Sequence, residues 1–185
     1  MPIRQPIVVV LGHVDHGKTT LLDKLRGTTV AKREPGQITQ WIGASLLPKE
    51  TIEEICGDLL QQFRFEVRVP GLLFIDTPGH ETFSNLRRRG GSAADIAILV
   101  VDVTKGVEPQ TVESLNILKS RKTPFIVAAN KVDAIPGWRS QPDISFGNSL
   151  KAQFPEIQTE LDNRLYTVIG TLSRLTFRSE RFDRI

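Results

Sequence analysis

A loop of eight residues near the N-terminus has the composition of a phosphate-binding site. Its glycines allow the backbone to curl so that successive N–H groups point inward, and the following helix adds the positive end of its dipole. Lys18 can reach terminal phosphates, and the hydroxyl of Thr19 can bind Mg²⁺. The spacing G-x-x-x-x-G-K-[ST] between a predicted strand and a predicted helix therefore indicates a di- or triphosphate site. Its residues, extended by one, are Gly12, His13, Val14, Asp15, His16, Gly17, Lys18, Thr19 and Thr20.

A second cluster follows the next predicted strand and reads Asp76, Thr77, Pro78, Gly79 and His80. A carboxylate at this strand end faces the phosphate loop, and Asp76 can hold Mg²⁺ through water because Mg²⁺ dehydrates reluctantly. Gly79 can place its backbone N–H on a γ-phosphate, and its missing Cβ lets that peptide flip. His80 then stands where a water molecule would attack; the alternative is an exposed histidine without a role.

The third cluster reads Asn130-Lys131-Val132-Asp133 and decides which base accompanies the phosphates. Asp133 can accept hydrogen bonds from N1–H and the exocyclic amine of guanine, whereas adenine presents an acceptor at N1 and leaves the carboxylate unpaired. Lys131 can lay its aliphatic stem on the base, and Asn130 can tie this loop to the phosphate loop. Because the cluster follows the two others in order, the sequence predicts a guanine nucleotide site.

These clusters need a scaffold that brings several strand ends together. Short apolar, β-branched runs predict strands at 7–11, 72–75, 96–101 and 125–129. Helical spacing predicts helices at 18–25, 52–63, 109–119 and 155–172, with a long loop at 26–48, a half-buried strand at 65–69 and a charged tail from 177. Strands that alternate with helices predict an α/β fold with a mostly parallel sheet and helices on both faces. Such sheets bind ligands beyond the carboxyl ends of their strands.

Composition narrows the class of protein. The 185 residues suit one domain, and a chain of this length can bury a core without disulfides or a structural metal. One cysteine, Cys56, and three histidines are too few for a zinc module and indicate a reducing, cytoplasmic compartment. No apolar run reaches the length of a membrane span and no secretory leader is recognised, so we expect no membrane partner. A net charge of +3 does not by itself indicate nucleic-acid binding.

The three clusters in this order resemble the translational GTPases, and within them the initiation factor 5B family of archaeal type, whose bacterial counterpart is initiation factor 2. The resemblance covers residues 3–138 and includes the longer strings Gly12–Asp23, Gln37–Ala44, Asp76–Glu81 and Ala128–Asp133. It implies a P-loop GTPase fold that converts GTP to GDP. It also implies that residues 1–185 form one GTP-binding domain, or G domain.

Further roles follow only from this resemblance. Thr39, in the long loop called switch I, becomes the second protein ligand of Mg²⁺. Asp15 helps to bind a K⁺ or Na⁺ ion near the β and γ phosphates, although a salt-bridged surface aspartate fits Asp15 nearly as well. Val14 and Ile38 correspond to an apolar gate that keeps His80 from its water until a partner opens it.

The implied catalytic groups are Lys18, Gly79 and His80, which neutralise charge, hold the γ-phosphate and orient water. The implied partner is the ribosome, in particular the GTPase-activating region of its large subunit, and turnover without it is expected to be slow. Gln37 and Trp41 depart from the residues that the family usually carries in switch I.

The resemblance also implies a longer protein. The family continues beyond residue 185 with another strand, a loop against the guanine, a β-barrel and two domains that recognise initiator tRNA. We therefore expect a monomeric G domain that is incomplete at its C-terminus, truncated before its last strand, with one exposed sheet edge. Two alternatives stay open: a nucleotide-dependent binding module without turnover in this chain, and the G domain of an elongation factor or another translational GTPase.

Overall fold

The computed structural model describes residues 3–30, 44–76, 94–141 and 144–182. Its strands are β1 (Ile7–Leu11), β2 (Ala44–Pro48), β3 (Gly71–Asp76), β4 (Ile96–Asp102) and β5 (Phe125–Asn130). Its helices are α1 (Lys18–Val30), α2 (Lys49–Gln62), α3 (Pro109–Arg121), α4 (Phe146–Lys151) and α5 (Pro155–Arg174), with a 3-10 turn at Val132–Ala134. The five strands form one sheet in the order β2-β3-β1-β4-β5.

Four of the five strands run parallel, as the alternation of strands and helices predicts. β1 pairs in parallel with β3 and with β4, and β4 pairs in parallel with β5. The register places Val10 beside Asp76 and Asp102 beside Asn130. The carboxyl ends of these four strands therefore meet at one edge of the sheet, which is the edge where a ligand is expected.

The sheet is buried on both faces, which explains why its strands are continuous apolar runs. Successive residues of a strand point to opposite faces, so Val9 and Leu11 join one core while Val8 and Val10 join the other. The first core contains Leu115 and Leu118 of α3 with Val168 and Leu172 of α5. The second contains Leu22 of α1 with Leu47, Phe74 and Val100. The predicted α/β fold with helices on both faces is confirmed.

Two local predictions are wrong. The segment predicted as a long loop contains the end of α1 and the whole of β2, which pairs antiparallel to β3 from Ala44 with Ile75 to Pro48 with Gly71. The segment 65–69, predicted as a half-buried strand, has no strand partner among the described residues, and Phe65 is 72% exposed. A strand of five residues is stabilised by the neighbour it pairs with, and local alternation does not reveal whether such a neighbour is within reach.

The tail folds back onto the body of the domain. We call residues 176–182 the strap. Within it, Phe177 packs edge-on against Phe125 with the ring centroids 5.3 Å apart, and the buried Arg181 forms an ion pair with the partly exposed Asp162 of α5. At the outer edge of the described sheet, Ile126 of β5 is 56% exposed. None of the described helices combines the length and the apolar character that crossing a membrane requires.

Candidate functional site

The phosphate loop connects β1 to α1 through backbone conformations that need glycine. Gly12 has a φ of 140°, and a Cβ there would lie 2.3 Å from the carbonyl oxygen of Val100. Gly17 has a φ of 91°, and its Cβ would lie 2.1 Å from Nδ2 of Asn130. Asp15 is also left-handed, with a φ of 62°, a conformation that aspartate tolerates better than most residues. The loop is therefore packed directly against β4 and the end of β5.

Lys18 bends back over the loop that precedes it. Its Nζ donates hydrogen bonds to the carbonyl oxygens of Gly12, at 3.0 Å, and His13, at 2.6 Å. Thr19 and Thr20 follow in the first turn of α1, and both are exposed. The ammonium group and the hydroxyls that the sequence assigns to phosphate and Mg²⁺ thus come together at the start of one helix.

His16 is fully buried and supports the loop from inside. Its Nδ1 accepts a hydrogen bond from the backbone N–H of Asp102 at 3.2 Å, so the ring is neutral with its hydrogen on Nε2. Within the described part of the chain, that Nε2 has no hydrogen-bond partner. Burial, and then the ring of His13 at 5.1 Å, lower the pKa of His16. Its imidazole therefore packs inside the loop and presents no charge to a phosphate.

The start of α3 holds the outer side of the loop. The backbone N–H of Val14 donates to Oε1 of Gln110 at 3.0 Å. Nε2 of His13 lies 3.2 Å from Oε2 of Glu108, the residue before α3. The side chain of Val14 itself is exposed. The loop is thus fastened to α3 as well as to β4 and β5.

Asn130 joins the base loop to the phosphate loop, as the sequence predicts. Its Nδ2 donates a hydrogen bond to the carbonyl oxygen of His16 at 2.8 Å. Lys131 then adopts a left-handed conformation, with a φ of 59°, and turns the chain into the 3-10 turn Val132–Ala134. Asp133 lies in that turn with an exposed side chain, where it is accessible to a base.

The base loop rests on a small core of its own. Ile135 is buried together with Val103, which follows β4, and Leu161 of α5. Trp138 packs against this cluster from the side. Because the apolar residues beneath the loop are packed, the position of Asp133 above them is determined by the body of the domain.

The structure adds Asp102 to the site, a residue that directly follows the predicted strand 96–101 and had no predicted role. Asp102 is 1% exposed, and its Oδ2 lies 2.9 Å from Nζ of Lys131. Its Oδ1 accepts hydrogen bonds from the N–H and the hydroxyl of Thr104 at 2.8 and 2.6 Å. Burial alone would raise the pKa of Asp102, but the hydrogen bonds from Thr104 and Lys131 lower it to about 2. The only signal in the sequence was an aspartate after a buried strand.

The remaining predicted residues fall wholly or partly outside the part of the chain that the structure describes. Asp76 ends β3 beside Val10, but its side chain is outside the described part. Among the residues that the structure describes, no group of three or more His, Cys, Asp or Glu side chains could hold a metal ion. Thr39, Thr77, Pro78, Gly79 and His80 lie outside the described residues. The structure therefore brings the phosphate loop and the base loop together, and the roles of the switch residues stay predictions.

The parallel sheet, the glycine-bounded phosphate loop and the base loop bonded to it define a class, the P-loop nucleotide-binding domains that read guanine. The sequence matches the family described as Elongation factor Tu GTP binding domain over residues 3–180. The chain belongs to this family, whose members are the GTP-binding, GTP-hydrolysing domains of translational GTPases.

Curated relatives and solved structures show which kind of translation factor the chain resembles. A probable translation initiation factor IF-2 from Sulfurisphaera tokodaii is 63% identical over 183 residues, which are 99% of this chain and 30% of that protein. One from Methanopyrus kandleri is 62% identical over 183 residues, which are 99% of this chain and 31% of that protein. The crystal structure of GDP-bound aIF5B from Aeropyrum pernix is similar with a TM-score of 0.90 and 56% identity, over 99% of this chain and 31% of that chain.

These likenesses confirm the predicted resemblance to initiation factors of archaeal type, and with it a G domain that binds GTP and GDP. The chain spans about 30% of the length of the curated relatives it matches. A translation elongation factor SelB from Methanococcus maripaludis has a TM-score of 0.56 at 24% identity and shares the fold alone.

Proposed function

We propose that this chain is the GTP-driven switch of a translation initiation factor that times the joining of ribosomal subunits. The observation that carries the proposal is the hydrogen bond of 2.8 Å between Asn130 and the carbonyl of His16. It holds a loop suited to guanine next to a loop suited to phosphates, at the sheet edge where ligands bind. The identity of 63% to a probable initiation factor supports the step from G domain to initiation.

In this proposal the phosphate loop and the first turn of α1 bind the phosphates, with Lys18 on the terminal ones. Thr19, Thr39 and, through water, Asp76 hold Mg²⁺, which supplies positive charge next to the β and γ phosphates. Thr19 fits this role because it is an exposed residue directly after Lys18. Asp15, exposed in the same loop, helps to bind K⁺ or Na⁺.

Hydrolysis is the attack of a water oxygen on the γ-phosphorus, with cleavage of the bond from that phosphorus to the bridging oxygen of GDP. His80 orients the water and Gly79 donates its N–H to the γ-phosphate. Lys18 neutralises the charge that develops. Val14 and Ile38 form the gate that keeps His80 away until the ribosome opens it, so the chain alone turns over slowly. The exposed side chain of Val14 supports its part in such a gate.

The proposal also includes the rest of the factor. A further strand pairs with the outer edge of β5, and the downstream barrel and domains reach initiator tRNA, while the G domain meets the large ribosomal subunit. The exposure of Ile126 and the coverage of about 30% of the relatives support a longer protein. We further propose that the factor acts as a monomer in the cytoplasm.

Asp133→Asn tests the base site. The amide replaces an acceptor with a donor, so we expect GDP to bind at least about 100-fold more weakly, while xanthosine diphosphate, whose base carries a carbonyl in place of the amine, binds better. Titration with fluorescent GDP and GTP, with ATP as competitor, measures both. Asp58→Asn, on the exposed side of α2, is the control and keeps wild-type affinity. Equal affinity of the wild type for ATP and GTP would refute the guanine site.

His80→Ala tests the catalytic role. We expect ribosome-stimulated turnover to fall by about 100-fold or more, with GDP affinity unchanged because His80 contacts neither base nor β-phosphate in the proposed arrangement. Phosphate release with and without ribosomes is the measurement. If the wild-type chain binds GTP but shows no turnover on ribosomes, while a version extended through the next strand does, the chain by itself is a nucleotide-dependent binding module.

A further inference from the structure

Asp102 stands between the two loops that meet in the candidate nucleotide site. Its side chain holds the ammonium of Lys131 in the base loop at 2.9 Å. Its backbone N–H donates to Nδ1 of His16 in the phosphate loop at 3.2 Å. It also lies beside Asn130 in the sheet register, and Asn130 in turn donates to the carbonyl of His16. One residue at the end of β4 thus contacts both loops.

Only one oxygen of the Asp102 carboxylate, Oδ2, is left for Lys131. Asp102 is almost completely buried, and a buried carboxylate needs donors around it. Thr104 supplies two donors to Oδ1, so Oδ2 remains for the ammonium of Lys131. Lys131 itself has a left-handed backbone, with a φ of 59°, a conformation that costs energy in a residue other than glycine.

We propose that Asp102 is a positioning residue for the guanine nucleotide, whose side chain orients the Lys131 side chain against the base. The inference rests on the proposed function, because it assumes that Lys131 packs on the base. Asp102 itself touches no nucleotide atom in this proposal. Its loss should therefore weaken the binding of the nucleotide without changing the hydrolytic step.

Two substitutions separate this role from a general structural one. Asp102→Asn keeps an oxygen that can accept both hydrogen bonds from Thr104, but its NH₂ group cannot accept from the ammonium of Lys131. Thr104→Val removes one hydrogen bond to Oδ1 and leaves the contact with Lys131 in place. The first variant tests the proposal and the second is its matched control.

The nucleotide experiment is a double-mutant cycle on GDP binding. We expect Asp102→Asn to weaken GDP binding by about 10- to 100-fold, the usual effect of losing a charge-assisted hydrogen bond, and to raise KM for GTP while kcat stays the same. Thr104→Val should change GDP affinity by less than about threefold. In a Lys131→Ala background, Asp102→Asn should add nothing, because it acts through Lys131. A full additional loss in that background, or an equal loss in Thr104→Val, overturns the proposal.

A second experiment needs no nucleotide. In the nucleotide-free chain, the rate at which acetic anhydride modifies Lys131, read by mass spectrometry, should rise severalfold in Asp102→Asn and stay unchanged in Thr104→Val. An unchanged rate in Asp102→Asn overturns the positioning role even if GDP binds well. If instead the wild type fails to bind guanine nucleotides while the labelling follows expectation, the proposed function has failed and the hold of Asp102 on Lys131 stands.

Discussion

A carboxylate in the interior stays ionised only where donors surround it, and Asp102 meets three, from Thr104 and Lys131. Its neighbour His16 is also buried but carries no charge. Burial keeps that imidazole neutral, and it accepts a hydrogen bond from the backbone of the same Asp102. At the residue scale, the site therefore combines a buried charge that is fully paired with a buried titratable group that carries no charge.

The lowered pKa of Asp102 predicts a specific loss of stability in acid. The folded-state pKa of about 2 lies below the ordinary value of 3.8, so ionised Asp102 contributes about 2 kcal/mol to the free energy of unfolding. That contribution is fully present above about pH 4 and disappears as the pH falls toward 2. Urea unfolding at pH 5, 4 and 3 should show a shallower acid decline in Asp102→Asn than in the wild type. Parallel declines would contradict the assignment.

At the scale of elements, the conformation of the phosphate loop depends on how the turn from β1 into α1 packs against β4 and the end of β5. Gly17 combines a φ of 91° with a Cβ position 2.1 Å from Nδ2 of Asn130, so a side chain there displaces the contact between the two loops. Gly12 is confined in the same way by the backbone of β4. The conformation of this turn therefore depends on contacts with β4 and β5, which are far from it in the sequence.

Gly17→Ala is expected to lower the free energy of unfolding by about 2 kcal/mol or more, from backbone strain and the displaced Asn130. Gly27→Ala is the matched control, because Gly27 lies in α1 with nothing within 4 Å of its Cβ position. That change should raise stability by about 0.5 to 1 kcal/mol. Chemical denaturation of the nucleotide-free proteins measures both. A Gly17→Ala variant as stable as the wild type would show that the loop adapts without the contact.

At the scale of the whole molecule, the strap closes one side of the domain. Phe177 packs against the first core and against Phe125, and Nζ of Lys119 donates to the hydroxyl of Thr176 at 2.6 Å. The strap thereby links α3, β5 and α5. The base loop follows β5 and rests on Leu161 of α5. The anchored strap should stabilise the whole domain, because in a closely packed interior the loss of one contact also loosens the packing of its neighbours.

Phe177→Ala should therefore lower the free energy of unfolding by about 2 to 3 kcal/mol. Phe182→Ala is the control: Phe182 is 59% exposed and contacts only the ring of Phe146 among the ring pairs described, at 6.2 Å. We expect a loss below about 1 kcal/mol there. Thermal unfolding followed by circular dichroism distinguishes them, and equal losses would mean that the strap is not anchored through Phe177.

Several features were readable from local sequence, since each depends on residues close together in the chain. The buried strands at 7–11 and 96–101 and the helix that begins at Pro109 were predicted and are confirmed, and the loop before Lys18 connects β1 to α1 as predicted. Asn130 was also predicted to reach the phosphate loop, and it does. This contact, unlike the other features, joins residues that are far apart in the sequence.

The amino-acid sequence by itself thus determined the class of fold, the order of the clusters and the family, because spacing, apolar runs and glycine positions are local properties. Only the tertiary structure decided that Ala44–Pro48 is a strand, that His16 is buried and neutral, and that Lys131 is held by Asp102. Each of these depends on groups that are distant in sequence: β2 forms only when it pairs with β3, and the contacts of His16 and Lys131 with Asp102 form only when β1, β4 and β5 align. Burial and pairing arise only when these groups meet in the fold, so no local sequence pattern encodes them.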